Sequence, residues 1–370
     1  MRKTFAKINL DNLKFNYLQL RKKVGEKKIC AVVKADAYGH GMLKCVEKLE
    51  SLGEKKPDYY GVAMLGEAVE LRKSKLTKAK IISFSHFDPE ELEDYYKYKV
   101  IPSVTAPSQI STLNRLELKK KLLIHVNIDT GMRRTGLEWK DAVKQIIKLS
   151  KIKNVVIDGI YTHFATSDEK DKSYSELQLS RFTSVLAELD SNGINYGTVH
   201  AANSGAILDL PESYFDMVRP GISLYGYYPS LETSESVSLK PVLELESEIY
   251  EIKNIQKGES VSYGRIYKAP YDMKIASVAI GYADGYNRNL SNRAIGIIKN
   301  QLAYQIGRVT MDRIMFDVND IKAKVGDKII LLGKSKHFKF DAWDWAKILN
   351  TIPYEITCAI GKRVPRIYKG

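Results

Sequence analysis

Between residues 11 and 228 the chain repeats one pattern, a short apolar run followed by a stretch of helical periodicity. Candidate strands fall at 28–34, 59–64, 80–85, 100–105, 121–129, 155–164, 197–202 and 217–225. Helical stretches at 67–74, 108–118, 141–150 and 174–191 lie between them, the last with Leu177, Phe182, Leu186 and Leu189 close to one face. Strands joined by helices run parallel and are covered on both sides, so they read as continuous apolar runs. Eight of them alternating with helices indicate an α/β fold of the (β/α)8 type, a TIM barrel. A doubly wound open sheet is the alternative, because a count of strands does not prove closure.

The texture changes after residue 228. Residues 229–240 are rich in Ser, Glu and Thr and read as a linker. Strand-like runs follow at 242–255, 260–263, 274–280, 294–298, 301–306, 314–318 and 328–332, with one clear helix at 342–350. This describes a mostly β domain at 229–370 after a barrel domain at 11–228. Residues 1–10 alternate in apolar character and read as a strand, without the apolar core of an export signal. No run of eighteen apolar residues occurs, so no membrane span is expected. Three cysteines without ligand spacing predict neither a metal site nor a disulfide framework, which fits a reducing cytoplasm. The net charge of +14 is spread along surface-like stretches such as 116–121 and 144–153, with no dense block interleaved with aromatics. A solvated basic surface is expected from it, not a nucleic-acid-binding face.

A barrel keeps its chemistry at the C-terminal ends of its strands, and five polar clusters fall there. AVVKADAYGHG (31–41) ends an apolar strand at Lys34 and continues into a loop containing Tyr38. A lysine partly shielded from water at a barrel lip can do Schiff-base chemistry, although a lysine that merely ends a strand reads the same way. HVNIDTGMRRTG (125–136) carries Arg133 and Arg134, whose planar forks suit a carboxylate or phenolate, or simply a solvated turn. GIYTHFATSD (159–168) puts His163 near the end of the sixth strand, where a satisfied core histidine is the more ordinary occupant. TVHAANSGAIL (198–208) ends a strand at His200 and offers Asn203, Ser204 and Gly205 before a helical run, a place suited to phosphate. MVRPGISLYG (217–226) sets Arg219, Gly221 and Ile222 at the mouth of the eighth strand, and such barrels commonly bind phosphate after their last two strands. No GxxxxGK[ST] and no GxGxxG after a strand occurs, so nucleotide binding is not indicated. A lysine, a phosphate cradle, an arginine and a histidine on one rim are the parts of a pyridoxal phosphate site.

From Lys3 to the C-terminus the chain resembles the alanine racemases, pyridoxal-phosphate enzymes of fold type III. VVKADAYGHG, HAANSGA, RPGISLYG, VSYGRIYKA, IGYADGYNR, GRVTMD and TIPYEITCAIGKRVPRIY stand in that family's order. The resemblance implies pyridoxal 5'-phosphate carried by Lys34, with Tyr38, Ser204, Gly221, Ile222 and Tyr354 at its phosphate. It implies that Arg219 faces the pyridine nitrogen and that Arg134 contacts the phenolic oxygen and the substrate carboxylate. It further implies a homodimer in which Tyr263 and Met311 reach the partner's site, with Tyr282, Asp312 and Arg366 near the entrance. The opening strand would join the C-terminal domain. Lys34 would take the α-proton of D-alanine and Tyr263 that of L-alanine, supplying D-alanine for peptidoglycan. An ordinary tyrosine titrates near pH 10, so a tyrosine base needs neighbouring positive charge or hydrogen bonds. A chain through His163 to Arg219 is implied as that help.

Two positions depart from the family pattern. Arg133 stands where glycine is usual, and Asn127 where many relatives carry a carbamylated lysine. Asparagine cannot be carbamylated, so a bound anion such as chloride, or direct hydrogen bonding by Asn127, is expected to hold Arg134. Some racemases of broad specificity, acting on serine or lysine, also have asparagine here and form the alternative reading. A decarboxylase of the same architecture fits VSYG and RVTMD less well.

Overall fold

The computed structural model describes residues 3–370; Met1 and Arg2 of the predicted opening strand lie outside them. By its internal contacts the chain divides into two compact units. One comprises residues 14–37 and 42–239, the other, of the described residues, 3–13, 38–41 and 240–370.

The strands, in chain order, are β1 (Phe5–Asn9), β2 (Lys28–Val32), β3 (Tyr59–Val62), β4 (Lys80–His86), β5 (Val100–Val104), β6 (Leu122–Asp129), β7 (Leu137–Glu138), β8 (Val155–Tyr161), β9 (Thr198–His200) and β10 (Met217–Val218). All neighbours from β2 to β6 and from β8 to β10 pair parallel, and β10 returns to β2. The barrel is therefore closed, which removes the open-sheet alternative. Closure follows from composition: β3 and β5 are buried at every residue and β2 at all but the first. Strands covered on both faces by side chains and helices fit that arrangement.

Several elements differ from the sequence reading. The run at 217–225 is a strand for two residues only, because Pro220–Gly221 interrupts it and a 3₁₀ turn, Ile222–Tyr225, follows. Helices Leu10–Val24 and Met42–Glu50 were not distinguished in the sequence. The expected loop after Lys34 is a helical turn, Lys34–Gly39, of left-handed sense: φ is +52° to +55° at Ala35, Asp36, Ala37 and Tyr38. Each L-residue in that conformation costs roughly 1–2 kcal/mol. Hydrogen bonds oppose the cost: Ala35 N–H donates to Glu67 (2.6 Å), Ala37 N–H to the Val33 carbonyl (2.9 Å) and Met42 N–H to Asp36 (2.7 Å). The segment after residue 228 is irregular, as expected of a linker, but it is tied down. Ser234 N–H donates to Asp209 and the Ser236 hydroxyl to the Leu208 carbonyl (3.1 Å).

In the other unit, β11 (Leu243–Ile255), β12 (Met273–Val278), β13 (Ile295–Ile298), β14 (Gln301–Ile306), β15 (Ile314–Asp317) and β16 (Lys328–Lys334) form an antiparallel ring, with β11 pairing both β12 and β16. The hairpin partner β17 (Lys339–Phe340) extends β16, and β18 (Arg366–Lys369) closes the chain. β1 lies between β11, antiparallel, and β18, parallel, so the opening strand does join this unit. Residues 260–263 are not a strand: Ser260 makes one isolated bridge with Lys268, and a 3₁₀ turn begins at Tyr263. A second helix, Pro353–Ala359, follows Ala342–Leu349 where one was expected. Among the described residues no helix is long and apolar enough to cross a membrane, and no three His, Cys, Asp or Glu converge as a metal site.

Candidate active site

The barrel gathers its polar side chains where the strands end. Arg219 follows β10 and is buried, and its guanidinium is committed on several sides. Nη1 donates to His200 Nδ1 (2.7 Å), and Nη2 donates to the carbonyls of Thr162 (2.8 Å) and Ala201 (2.9 Å). Nη2 also makes a long contact, 3.5 Å, with His163 Nδ1, and the group lies 5.4 Å from the centre of the Tyr161 ring. Burial draws its pKa down to about 10, which still leaves it protonated at neutral pH. Burial also holds His163 well below the ordinary histidine range, and the charges of Arg219, Arg134 and Lys34 act in the same direction. His163 is thus neutral, and the charges of Lys34, Arg134 and Arg219 all act on it.

A nest of hydroxyls and amides follows β9 and β10. Ser204 Oγ accepts from Gly221 N–H (2.9 Å) and lies 3.4 Å from the Ser223 nitrogen. Asn203 caps the short helix Ser204–Asp209 through Ala206 N–H (3.1 Å) and is itself held by the Ser167 hydroxyl (2.8 Å). Ser223 Oγ is buried with no hydrogen-bond partner among the described residues. A buried donor left without an acceptor is costly, and a phosphate oxygen is the kind of group that would satisfy it. The residues present therefore fit a phosphorylated ligand.

The turn after β6 explains both departures. Asp129 Oδ1 accepts from Gly131 N–H (2.9 Å) and Arg133 N–H (3.0 Å), and Arg133 takes a left-handed φ of +57°. That is why glycine suits the position; here the arginine side chain instead pairs with Glu138 and, at 3.8 Å, with Asp129. Asn127 does not bond Arg134 directly. Its amide donates to the carbonyl and the hydroxyl of Thr135, both at 3.1 Å, and so holds the turn from which Arg134 projects.

The remaining predicted residues belong to the β unit. Tyr38 and Tyr354 pair there, ring centres 5.8 Å apart and tilted by 51°. Tyr263 is 72% exposed and Met311 51% exposed, at the outer surface of that unit. Asp312 pairs with Arg363 at 2.6 Å. Arg366 is committed to four backbone carbonyls, those of Gly39, Ile360, Gly361 and Val364. Tyr282 is 44% exposed.

Behind Arg219 stand His200, expected only as a strand end, and His125 and Asp158, which were not singled out in the sequence. His125 Nδ1 lies 2.8 Å from His200 Nε2, and His125 Nε2 faces Asp158 at 3.5 Å. The only signal was a histidine in the middle of the run LLIHVNID and an aspartate in the middle of VVIDGIY.

Comparison with known proteins accounts for the whole chain. Residues 8–229 match the model of the alanine racemase N-terminal domain and residues 242–368 that of the alanine racemase C-terminal domain. The chain belongs to the alanine racemase family. It is 45% identical over 374 residues to an alanine racemase of Clostridium perfringens, covering all of this chain and 96% of that one. It superposes on the alanine racemase of Clostridium difficile 630 with a TM-score of 0.92 at 38% identity, covering 100% and 96% of the two chains. The Bartonella henselae alanine racemase with covalently bound pyridoxal phosphate matches with a TM-score of 0.90 at 30% identity over both full chains. The family's barrel and antiparallel β domain are those described above. These relatives are alanine racemases, which does not favour the broad-specificity alternative.

Proposed function

We propose that the protein is a cytoplasmic, homodimeric alanine racemase that uses pyridoxal 5'-phosphate to interconvert L- and D-alanine, with peptidoglycan as the destination of the D-enantiomer. The observation that carries this reading is the grouping of Lys34, His163, Arg134 and Arg219 beside the Ser204–Gly221 nest on one barrel rim. Ser204, Gly221 and Ile222 would hold the phosphate, with Tyr38 and Tyr354 beside it, and Lys34 would anchor the cofactor through its amine. When bound, the cofactor supplies an electron-withdrawing ring that takes up the charge left at the substrate's α-carbon. Arg219 is a cation with donors only, so a ring nitrogen facing it must accept rather than carry a proton. That weakens the withdrawal and limits side reactions such as transamination.

Inversion needs a proton removed on one face and delivered on the other. Lys34 Nζ is assigned to the face that serves D-alanine and Tyr263 Oη to the face that serves L-alanine. Tyr263 comes from the partner subunit in this reading, and its exposure on its own unit supports that. Arg219 donates toward Nδ1 of a neutral His163, which leaves the Nε2 proton as the donor able to stabilise a tyrosine oxygen. Arg134 is assigned to the substrate carboxylate and Met311 to the substrate pocket. Tyr263→Phe in deuterium oxide tests the division of labour. Exchange of the α-proton of D-alanine should persist while inversion is lost; undiminished inversion would overturn the two-base scheme.

A further inference from the structure

Arg219 is the last member of a chain that crosses the barrel interior. Lys80, the first residue of β4, is half-exposed and lies 2.8 and 2.9 Å from the two oxygens of Asp158 on β8. Asp158 faces His125 Nε2 at 3.5 Å, an ion-pair distance rather than a tight hydrogen bond. His125 Nδ1 meets His200 Nε2 at 2.8 Å, and His200 Nδ1 meets Arg219 Nη1 at 2.7 Å. Both imidazoles are fully buried, and the His200 ring is stacked on Tyr161 at 4.9 Å.

Donor and acceptor rules leave this chain one arrangement of protons. A guanidinium can only donate, so His200 Nδ1 must accept and His200 carries its proton on Nε2. That proton can go only to His125 Nδ1, so His125 also carries its proton on Nε2, directed at Asp158. An ionised carboxylate can only accept, so it ends the chain in the same sense. Burial keeps both histidines below their ordinary range, which agrees with two neutral rings. His125 beside the Asp158 carboxyl holds it at about 2 against burial, with Lys80 adding to the effect, so it stays an acceptor at neutral pH. Successive donors pointing one way polarise one another and strengthen each bond.

We propose that Asp158, acting through His125 and His200, is a positioning residue for Arg219: it fixes the tautomer of His200, and so the direction in which the guanidinium meets the cofactor ring. Without a terminal acceptor, His125 and His200 can shift to their Nδ1–H forms. His200 would then present a proton to Arg219 Nη1, donor against donor, and the guanidinium would turn away. The inference rests on the reading of Arg219 as the ring-facing group, but the tautomers exist whether or not that reading holds.

The protein has six histidines, so selective ¹⁵N labelling of imidazole gives a resolvable spectrum. Both His125 and His200 should show the Nε2–H signature in the wild-type protein; an Nδ1–H signature at either overturns the proposal with no variant needed. In the cofactor-loaded enzyme, Asp158→Asn should lower kcat about tenfold, leave KM for alanine within twofold, and change the absorbance band of the bound cofactor. Asp158→Glu, which keeps the carboxylate, should recover most of the rate. His125→Phe gives a second break should the asparagine variant fold poorly, and it should show the same split between kcat and KM. An Asp158→Asn enzyme with wild-type kcat and unchanged His200 signals overturns the relay while racemisation by the wild type stands. A wild-type protein that does not racemise alanine defeats the proposed function, and the tautomer spectrum still judges the relay.

Discussion

The amide nitrogen of Asn127 lies 3.1 Å from both the carbonyl and the hydroxyl oxygen of Thr135. One side chain at the end of a barrel strand thereby fixes the turn that presents Arg134. Direct hydrogen bonding from Asn127 to the arginine, one of the two expected substitutes for a carbamylated lysine, is not what these contacts show; the asparagine acts on the turn instead. The rate of alanine racemisation in chloride-free acetate buffer should stay within twofold of the rate in chloride. Strong stimulation by chloride would restore the bound-anion alternative. Asn127→Ala should raise KM for alanine several-fold, since the turn loses two hydrogen bonds of about 1 kcal/mol each.

His125 and His200 make the stability of the barrel depend on pH. Both are held below the ordinary histidine range by burial, so the unfolded chain binds protons that the folded chain refuses. Stability must then rise with pH up to the unfolded value near 6.5 and fall below it. Each such group contributes at most about 1.4 kcal/mol per pH unit between its unfolded and folded values. Asp158 works in a lower window: its depressed pKa of about 2 gives stability that is lost only as pH falls from about 4 toward 2. The loss of stability to urea between pH 7 and pH 5 should shrink in His125→Phe, and an unchanged loss in that variant would contradict the histidine contribution.

Ser204→Ala separates structure from cofactor binding. The substitution leaves the Gly221 N–H, buried in the nest, without its acceptor, which costs about 1–3 kcal/mol even in the cofactor-free protein. Cofactor titration by absorbance should also show at least tenfold weaker binding. Unchanged unfolding and unchanged binding would remove Ser204 from the site.

Gly39 has φ of +85°, and a Cβ placed there would run into the Thr357 carbonyl. Gly39→Ala should therefore cost more than about 1 kcal/mol, seen as a lowered Tm. Tyr354→Ala should loosen the same stretch by removing the ring against Tyr38, a pair worth roughly 0.5–1.5 kcal/mol beyond its buried area. A several-fold weaker affinity for pyridoxal phosphate is the expected result; an unchanged affinity would argue against a phosphate role for either tyrosine.

The barrel was legible because buried parallel strands are uninterrupted apolar runs, and the β unit because its strands are bounded by turn residues. Strand ends were read too long where backbone geometry, not hydrophobicity, stops the strand, as at Lys34 and Pro220. Nothing in the residue types announces four successive left-handed positions; Ala35 and Ala37 are good formers of right-handed helix. The rim clusters were readable because lysine, arginine and serine followed strand ends within a few residues. The relay was not, since Lys80, Asp158, His125 and His200 sit singly on four strands and meet only when the barrel closes. Arg133 and Asn127 were visible as departures, but only the turn geometry shows what each does.

The most direct test is to incubate the purified protein with pyridoxal phosphate and L-alanine and to follow D-alanine by chiral chromatography, with L-serine and L-lysine in parallel. Enantiomers have equal free energy, so an alanine racemase must carry the mixture to equal amounts from either side. That plateau is expected for alanine, reached rapidly, with little turnover of serine or lysine. Preferred racemisation of serine or lysine, or no inversion of any of the three by the cofactor-loaded protein, would contradict it.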